Sequence, residues 1–514
     1  MSGAKSIMFL GTGSDVGKSV LAAAFCRIFR NEGYRVAPFK AQNMALNSFI
    51  TPQGGEMGRA QVVQAEAAGI EPHVDMNPIL LKPTSQMGSQ VIVLGRAIGN
   101  FSAGSYYEYK EKLVPVVRGA FERLCSKNDL IVIEGAGSAV ELNLKERDLV
   151  NMAMAEMADA KCILVGDIDR GGIFASLLGS YSLLEPAERE RIVGFIVNKL
   201  RGDPRLFEDG VKILQKRSGV PVLGVVPYFE DISLPEEDSV ALGRRMAATR
   251  DRALPSAVRA GVVRLPFISN YTDFDPFESD PRVDLVYFDR PSEIFGFDVV
   301  IIPGSKNTIE DLEALRKTGM ADALSAFYKS GGVVVGLCGG YQMMGSVVRD
   351  PHGVESSIEV TPGLGLLDME TEMYPEKTTS QVEAGVISES LPFPGRREAL
   401  SGYEIHMGRS ISGGLAKPLF KIVRRDGKPA DIEDGLAQPD GRAWGTYIHG
   451  IFDNDGFRNM FIEDIARRSG KVVSSFSDSF SFRLRKEEQY DRLAEFVRNH
   501  VDVARILEEV KRQK

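Results

Sequence analysis

One of the four cysteines of the chain stands in a setting that suits a nucleophile. The stretch VVVGLCGGYQMMG at 333–345 places Cys338 at the end of an apolar run, between glycines, where a helix is predicted to begin. Small neighbours permit the strained backbone of a nucleophile elbow, and the start of a helix favours the thiolate. Cys26 lies in a helical pattern and Cys162 in a strand pattern, which favours core positions for both. We predict that Cys338 is a catalytic nucleophile, with a buried structural thiol as the alternative.

A thiolate that attacks an acyl group needs a proton-transfer partner, and the chain has five histidines. His449, in WGTYIHGIF, follows a short β-like run and precedes a glycine, which predicts a position at a loop mouth. His406, in GYEIHMG, is the rival candidate. The turn in IIPGSKNT at 303–305 offers backbone N–H groups for an oxyanion. These motifs predict a cysteine acyl-transfer site in the C-terminal half of the chain.

A second chemical motif, GTGSDVGKS at 11–19, lies between the strand-like run SIMFL and the helical run VLAAAFC. This context is typical of a phosphate-binding loop, in which the backbone at Gly13 and Gly17 approaches phosphate oxygens at a helix N-terminus. Lys18 would neutralise the β- and γ-phosphates, and the Ser19 hydroxyl would ligate Mg²⁺. The motif therefore predicts ATP binding.

This loop departs from the strict GxxxxGK[ST] pattern, because Thr12 stands where the first glycine belongs. Counted from Gly11, the loop is one residue longer than the standard form. The alternative interpretation is a glycine-rich turn with an exposed lysine.

Other candidate ligands follow apolar strands, where open α/β sheets bind their ligands. Glu134, in IVIEGAGS, would hold the metal directly or through water, or else would cap the following turn. Glu56, in GGEMGRAQ, is a weaker metal candidate. Lys40 is a candidate for nucleotide binding, and Asn198 stands where side chains often read a nucleotide base. Surface-loop roles remain the alternative for Lys40, Glu56 and Asn198, and for three further residues at strand ends: Asp167, Asp169 and Lys199.

The bulk composition excludes several classes of protein. With 43% hydrophobic and 26% charged residues, the chain is typical of soluble globular proteins. A net charge of −8 leaves no basic footprint for nucleic acid as a main partner. The scattered cysteines show no zinc or disulfide spacing, and no apolar run reaches the roughly 18 residues of a membrane span. We expect a protein of the reducing cytoplasm.

The alternation of strands and helices predicts two α/β domains. Apolar runs such as LIVIEGAG and FDVVIIPGSKN, separated by helical stretches, favour parallel sheets covered on both faces. From 380 to 440, glycine, proline and charge become frequent and the strand patterns weaken. We predict a nucleotide-binding domain at 1–235, a linker at 236–258, a second α/β domain at 259–485 and terminal helices at 486–514.

Together, a nucleotide-phosphate site and a cysteine acyl-transfer site predict a coupled reaction. The cysteine would release ammonia from a glutamine amide, while ATP converts a carboxylate to an acyl phosphate that ammonia attacks. The combination favours an ATP-dependent amide ligase, since ammonia lost to water would be protonated and unreactive.

The same motifs carry a resemblance to known families. GLCGGYQMMG, PGSKNT and YIHGIF resemble a class I, or triad, glutamine amidotransferase domain, and GTGSDVGKS with EGAG is similar to dethiobiotin synthetase-like P-loop domains. The blocks FKAQNMALNSF, GDIDRGGIFAS, SNYTDFDPF and GYEIHMG resemble the cobyric acid synthase family of corrinoid amidotransferases. The resemblance runs in consistent order from about residue 5 to 455.

This resemblance implies amidation of carboxylates b, d, e and g of adenosylcobyrinic acid a,c-diamide, with one glutamine and one ATP per amide. Cys338 and His449 match the nucleophile and the catalytic histidine. Most triad enzymes carry Glu two residues after that histidine, where this chain has Ile451. Asp453 or Glu404 would be candidates for the third member, and spacing supports neither.

Three alternatives stay open. A related corrinoid a,c-diamide synthase would act on a different set of carboxylates. A P-loop ATPase with an inactive amidotransferase-like docking domain would lack glutaminase activity. A cysteine hydrolase with a regulatory nucleotide site would act without consuming ATP. The oligomeric state is not predicted.

Overall fold

The computed structural model describes residues 3–85, 88–229, 257–388, 399–473 and 481–513. The chain divides into two compact units. In the described residues, the first unit comprises 3–45, 57–229 and 486–513, and the second comprises 46–56, 257–473 and 481–485. Most of the predicted linker at 236–258 lies outside the described residues.

The first unit is built on a six-stranded parallel sheet, as the apolar runs predicted. All but the edge strand Val222–Pro227 are buried along nearly their whole length, so their sequences are continuous apolar runs without alternation. In spatial order they are Val222–Pro227, Ile192–Leu200, Lys161–Asp167, Lys5–Gly11, Leu130–Glu134 and Val36–Phe39. The phosphate-loop strand is therefore central, with the strand that ends at Glu134 beside it.

Helices and a smaller sheet complete the first unit. A four-stranded sheet contains Gln42–Met44, Ile79–Ser85, Gly88–Val93 and Arg96–Ser102. The α-helices are Lys18–Asn31, Arg59–Ala68, Ala103–Tyr109, Val114–Cys125, Met152–Met157, Ile173–Leu183, Pro186–Arg189, Glu208–Ser218 and Val503–Lys511, together with Phe482–His500, which belongs to this unit from residue 486 onward. The 3₁₀ helices are Val74–Met76, Lys110–Leu113, Leu142–Arg147 and Pro204–Phe207.

The two terminal helices are part of the core of the first unit. Leu493, Val497 and Ile506 are fully buried in the same hydrophobic cluster as Phe25 and Phe29 of the helix that follows the phosphate loop. The helical spacing of apolar residues near the C-terminus thus predicted their fold, and the structure adds where they pack.

The second unit contains a mixed twelve-stranded sheet. Its parallel part, in spatial order, consists of Val283–Phe288, Val258–Val263, Val299–Ile302, Val333–Leu337 and Ala443–Thr446. The helices are Asp275–Glu278, Thr308–Lys317, Met320–Lys329, Gly339–Met343 and Asp455–Arg468, with 3₁₀ helices Tyr271–Phe274, Pro291–Gly296 and Ile451–Asp453.

The remaining strands of this sheet are long where the sequence pattern had weakened. Met369–Val386 pairs with Ala399–Ser412 and with Lys417–Arg425, both antiparallel, and Lys428–Ala437 continues the sheet to the parallel part. Antiparallel strands that face water on one side carry polar residues, which hides them in a search for apolar runs. The short strands Val347–Arg349, Val360–Pro362 and Ile448–His449 complete this sheet.

A short piece from early in the sequence belongs to the second unit. Residues Leu46–Glu56, hereafter the inserted segment, include the strand Ser48–Ile50 and end at the first residue of the strand Glu56–Gly58. Ile50 and Thr51 are fully buried, and Ile50 packs with Tyr403 and Ile405. The sequence did not predict this crossing between units.

None of the helices in the part of the chain that the structure describes is both long and apolar enough to span a membrane.

Candidate active site

Cys338 occupies a nucleophile elbow. It follows the buried strand Val333–Leu337 and precedes the helix Gly339–Met343, with φ 49° and ψ −108°. A positive φ is strained for a residue with a side chain, and such strain is typical of functional positions. A Cβ at Gly340 would lie 2.0 Å from the Ile302 carbonyl oxygen, so the elbow requires glycine there. The predicted helix is present, although it is only five residues long.

The structure brings His449 to Cys338 and supplies a carboxylate behind it. His449 is buried, and its Nδ1 donates to Asp273 Oδ2 at 2.7 Å. Asp273 Oδ1 accepts from the Gly450 amide at 2.9 Å, which fixes the carboxylate. Burial alone would lower the pKa of His449, but Asp273 and Cys338 raise it to about 10. The imidazole of His449 is therefore held in its protonated form, between the Asp273 carboxylate and the Cys338 sulfur.

The carboxylate that bonds His449 is thus Asp273, and neither Asp453 nor Glu404 takes that place. Glu404 accepts from Arg425 Nε at 2.9 Å, so its carboxylate is engaged elsewhere. Asp273 lies 176 residues before His449 in the sequence. Its motif, SNYTDFDPF, is recognisable as a family block, but nothing local marks Asp273 as the partner of a histidine.

His406, the rival histidine, has a different environment. Its Nδ1 bonds with the Gly408 carbonyl oxygen at 2.8 Å, and its ring stacks on Tyr447 with centroids 3.8 Å apart. The neighbouring Ile405 carbonyl accepts from the Cys338 thiol at 3.4 Å. His406 is therefore near Cys338, and its Nε2 lies 3.6 Å from Glu404 Oε1, a longer contact than the 2.7 Å between His449 Nδ1 and Asp273 Oδ2.

The turn at 303–305 lies against the elbow, as an oxyanion site would require. A Cβ built at Gly304 would come 3.4 Å from His449 Cε1, and one at Gly339 would come 2.8 Å from the Ser305 amide nitrogen. The Ser305 hydroxyl donates to Asp311 at 2.6 Å, and burial raises the pKa of Asp311 to about 7. This turn and the elbow form one packed unit at the ends of adjacent parallel strands.

The inserted segment contacts the loop that carries Asp273 and also Tyr403, whose ring stacks on His449. The Asn47 side-chain oxygen accepts from the Tyr271 amide at 3.3 Å, two residues before Asp273. The Tyr403 hydroxyl donates to the Ser48 carbonyl oxygen at 3.3 Å, and the Tyr403 ring stacks on His449 at 5.2 Å. No local sequence pattern predicts these hydrogen bonds, because they join residues more than 200 positions apart.

In the first unit, the phosphate loop has the predicted strand–loop–helix form. Gly17 caps the helix Lys18–Asn31 with φ 97°, a conformation that glycine adopts without strain. The Lys18 ammonium donates to the Gly13 carbonyl at 2.8 Å and to the Gly137 carbonyl at 2.9 Å. Gly13, Gly17, Lys18 and Ser19 are thus placed together, as the motif predicted.

Glu134 is the centre of a buried polar cluster beside the loop. It accepts from Ser19 Oγ at 2.7 Å, from Lys40 Nζ at 2.8 Å and from Gln64 Nε2 at 2.6 Å. Burial alone would raise the pKa of Glu134, but Lys40 and these hydrogen bonds hold it below its ordinary value. A hydroxyl oxygen and an ionised carboxylate are the protein ligands that Mg²⁺ takes beside nucleotide phosphates, so Ser19 and Glu134 fit that ion.

The remaining candidates are distributed between the units. Asn198 is buried and donates to the Val16 carbonyl at 2.8 Å, while its side-chain oxygen has no hydrogen-bond partner among the described residues. Glu56 lies in the second unit, where its carboxylate pairs with Lys377 at 2.6 Å. The role of Glu56 as a metal ligand stays a prediction.

Sequence reasoning missed Gln64 and Gln61, which both reach Glu134 Oε2. They lie three residues apart on the helix Arg59–Ala68, so they share one face. Two amides at that spacing, in a helix whose other residues are mostly alanine and valine, were the available signal.

Two family models match the chain. The model described as "CobQ/CobB/MinD/ParA nucleotide binding domain" matches residues 7–241, and the model described as "CobB/CobQ-like glutamine amidotransferase domain" matches residues 259–457. The predicted fold class, a P-loop domain followed by a glutamine amidotransferase-like domain, is confirmed.

Curated relatives match along nearly the whole chain. A cobyric acid synthase from Syntrophobacter fumaroxidans is 70% identical over 98% of this chain and 98% of its own length. One from Desulfitobacterium hafniense is 49% identical over 98% of both chains, and one from Sorangium cellulosum is 48% identical, also over 98% of both.

Proposed function

This chain belongs to the cobyric acid synthase family of glutamine amidotransferases in cobalamin biosynthesis, and from that premise we propose a division of labour between its two sites. In our proposal, the Cys338 site releases ammonia from glutamine, and the Lys18 site uses ATP to activate carboxylates b, d, e and g of adenosylcobyrinic acid a,c-diamide. The reaction takes place in the cytoplasm. The four cysteines, all free, support that location.

The glutaminase half-reaction is acyl transfer at Cys338. The thiolate attacks the glutamine side-chain carbonyl, and the Ser305 region lies where backbone N–H groups would stabilise the oxyanion. His449, protonated at neutral pH, gives its proton to the departing ammonia. His449 then takes a proton from the water that attacks the thioester, so glutamate forms, the C–S bond breaks, and the Cys338 thiolate and protonated His449 are both restored. Asp273 holds the ring in the tautomer that both steps need.

The ligase half-reaction joins that ammonia to a carboxylate. The substrate carboxylate attacks the γ-phosphate, ADP leaves, and an acyl phosphate forms. Ammonia attacks the acyl carbon, phosphate departs, and the amide remains. Lys18 and the loop amides bind the phosphates, Asn198 offers a free carbonyl oxygen to the base, and Lys40 holds Glu134 ionised. Ser19 and Glu134 would hold Mg²⁺, which supplies charge neutralisation at the phosphates when bound.

One observation carries the proposal: a buried His449–Asp273 pair at the Cys338 elbow. A docking domain that had lost its chemistry would have no reason to keep a histidine buried against a carboxylate, since an unused buried ion pair contributes little to stability.

Mass spectrometry of the corrinoid tests the proposal. We expect adenosylcobyrinic acid a,c-diamide, incubated with the protein, Mg-ATP and glutamine, to lose about one mass unit at each of four successive conversions of acid to amide. In Cys338→Ala, the mass shifts should be absent when glutamine is the nitrogen source and present when ammonia replaces it. Cys162→Ala, at a buried cysteine of the other unit, is the matched control.

No mass shift with either nitrogen source, while ATP is still hydrolysed, would reject the corrinoid assignment. Two shifts with a cobyrinic acid whose carboxylates a and c are still free, and none with the a,c-diamide, would indicate an a,c-diamide synthase instead.

A further inference from the structure

A cavity of about 430 Å³ opens in the first unit beside the phosphate loop. Its walls come from the four-stranded sheet, the helix Ala103–Tyr109, the 3₁₀ turn Lys110–Leu113 and the loop at 136–145 that follows Glu134. The residues assigned above to glutamine and to the nucleotide phosphates do not line it. The cavity is therefore available for another ligand.

The cavity shares a wall with the nucleotide site. Ala136 and Ser138 line it, and the Gly137 carbonyl between them accepts from Lys18 at 2.9 Å. The Ala139 amide donates to the Gly11 carbonyl at 2.9 Å, so this loop is joined to the phosphate loop. Asn151 keeps the wall rigid through hydrogen bonds with Ala136 and Ser138. A ligand in the cavity would thus lie one backbone layer from bound phosphates.

The mouth of the cavity is unusually apolar for a surface. Met44, Leu142 and Leu183 line it and expose 55%, 52% and 50% of their area. Exposed apolar side chains gathered around one concave site are typical of binding surfaces. Tyr106 and Tyr107 add aromatic surface inside. These walls suit a large, mostly hydrocarbon ligand.

Lys110 lines the cavity together with a second lysine and the carboxylates Glu141, Asp148 and Glu188. It is half-buried, and its side chain makes no hydrogen bond or ion pair within the described residues. Burial lowers its pKa, while Asp148 opposes that effect through its charge. The Asp148 carboxylate is itself held by the amides of Val150, Asn151 and Ala153.

The other lining lysine is already paired. Lys145 forms ion pairs with Glu188 at 3.0 Å and with Glu185 at 3.3 Å. Lys110 is therefore the lysine of this cavity that is left to meet an anionic group on a ligand.

We propose that this cavity binds one edge of the corrinoid, with Lys110 holding a peripheral carboxylate that is not reacting while a neighbouring carboxylate reaches past Gly137 to the γ-phosphate. The proposal rests on the function proposed above and adds where the macrocycle binds. The macrocycle is larger than the cavity, so only an edge enters and the rest lies on the apolar mouth.

This arrangement explains how one site serves four carboxylates. Hydrophobic contacts are non-directional, so the apolar walls can bind the macrocycle in more than one orientation. After one amidation, the corrinoid can therefore bind again with a different edge in the cavity. Each amidation removes one negative charge, so Lys110 attracts later intermediates less than the first substrate. Release of the finished product follows from the same chemistry.

Binding and kinetics of Lys110→Met test the proposal, with Lys112→Met as the matched control. Lys112 is exposed on the same 3₁₀ turn and does not line the cavity. For Lys110→Met we expect the corrinoid KM to rise about tenfold, which corresponds to one charge-assisted contact. The KM for ATP and the glutaminase rate should stay unchanged. The loss of affinity should be larger for the a,c-diamide substrate than for the fully amidated product.

A second pair of variants guards against a folding defect. Leu142→Glu adds a negative charge at the exposed mouth and should also weaken corrinoid binding, whereas Leu206→Glu, 86% exposed and outside the cavity, should not. Unchanged corrinoid KM in both Lys110→Met and Leu142→Glu, in a preparation whose wild type amidates the corrinoid, would overturn the cavity assignment alone. A wild type that amidates no corrinoid would overturn the proposed function itself.

Discussion

We infer that Asp273 couples His449 to the buried thiol of Cys338. It bonds His449 at 2.7 Å inside the protein, where a charge-assisted hydrogen bond is strong. We expect Asp273→Asn to lower glutaminase kcat by about 10² to 10⁴-fold, since the amide cannot stabilise the imidazolium. Ammonia-dependent amidation should persist, because it does not use this site.

Asp453→Asn is the control for this prediction, as Asp453 follows His449 closely in sequence and is not its carboxylate partner. Glutaminase activity retained in Asp273→Asn but lost in Asp453→Asn would contradict the assignment. Steady-state glutamine hydrolysis measures both.

The same pair predicts a pH dependence. The pKa of His449 is raised in the folded protein to about 10, above its ordinary value of 6.5. The folded state therefore holds this proton more tightly, so the pair's stabilisation is complete below pH 6.5 and is lost as pH rises toward 10. In chemical denaturation, the destabilisation caused by Asp273→Asn should be largest below pH 6.5 and should shrink at higher pH.

At the residue scale, the sequence predicted the site residues that have a recognisable motif in the residues adjacent to them in the chain. Glycines frame Cys338, a strand end precedes Glu134, and Lys18 stands in a recognisable loop. Asp273 has no such frame, because its partner is supplied by folding across 176 residues.

At the scale of elements, the inserted segment acts as a brace for the loop that carries Asp273. Asn47 is buried, and its side-chain oxygen accepts from the Tyr271 amide. We expect Asn47→Ala to lower glutaminase kcat several-fold by loosening that loop, because a buried amide would lose its hydrogen bond. Gln53→Ala, at an exposed position of the same segment, is the control and should leave the rate unchanged. Equal rates for both variants would show that the brace does not act on catalysis.

Strands were predicted where a continuous apolar run marks them in the sequence. Parallel strands buried on both faces produce apolar runs, so both parallel sheets were predicted. The strand Met369–Val386 alternates buried and exposed positions and contains Pro375 and Lys377, which hides its 18-residue length. The inserted segment was missed because nothing in a short polar stretch indicates which core will receive it.

At the scale of the whole molecule, two chemistries depend on one chain. Lys18→Ala should abolish amidation from both glutamine and ammonia, because the carboxylate is no longer activated. Glutaminase activity should stay within a few-fold of wild type. Lys216→Ala, in the last turn of the helix Glu208–Ser218, is the control. Ammonia-dependent amidation that survives in Lys18→Ala would show that the loop is not the activating site.

The sequence patterns predicted consecutive domains, and the two family models match residues 7–241 and 259–457. The compact units are not consecutive. The first unit takes its terminal helices from the far end of the chain, and the second takes the inserted segment from near the start. The unit in which a segment packs is decided by its contacts with residues distant in sequence, and local composition does not predict those contacts.

The inserted segment has a consequence for how such a gene can be divided. A break anywhere between the two catalytic regions would leave the second product without the strand Ser48–Ile50 that covers Tyr403, and the first without the helix Val503–Lys511. Neither half would inherit its complete interior. Recombination that exchanges ammonia-donor domains by cutting at the linker would therefore separate each unit from part of its own core.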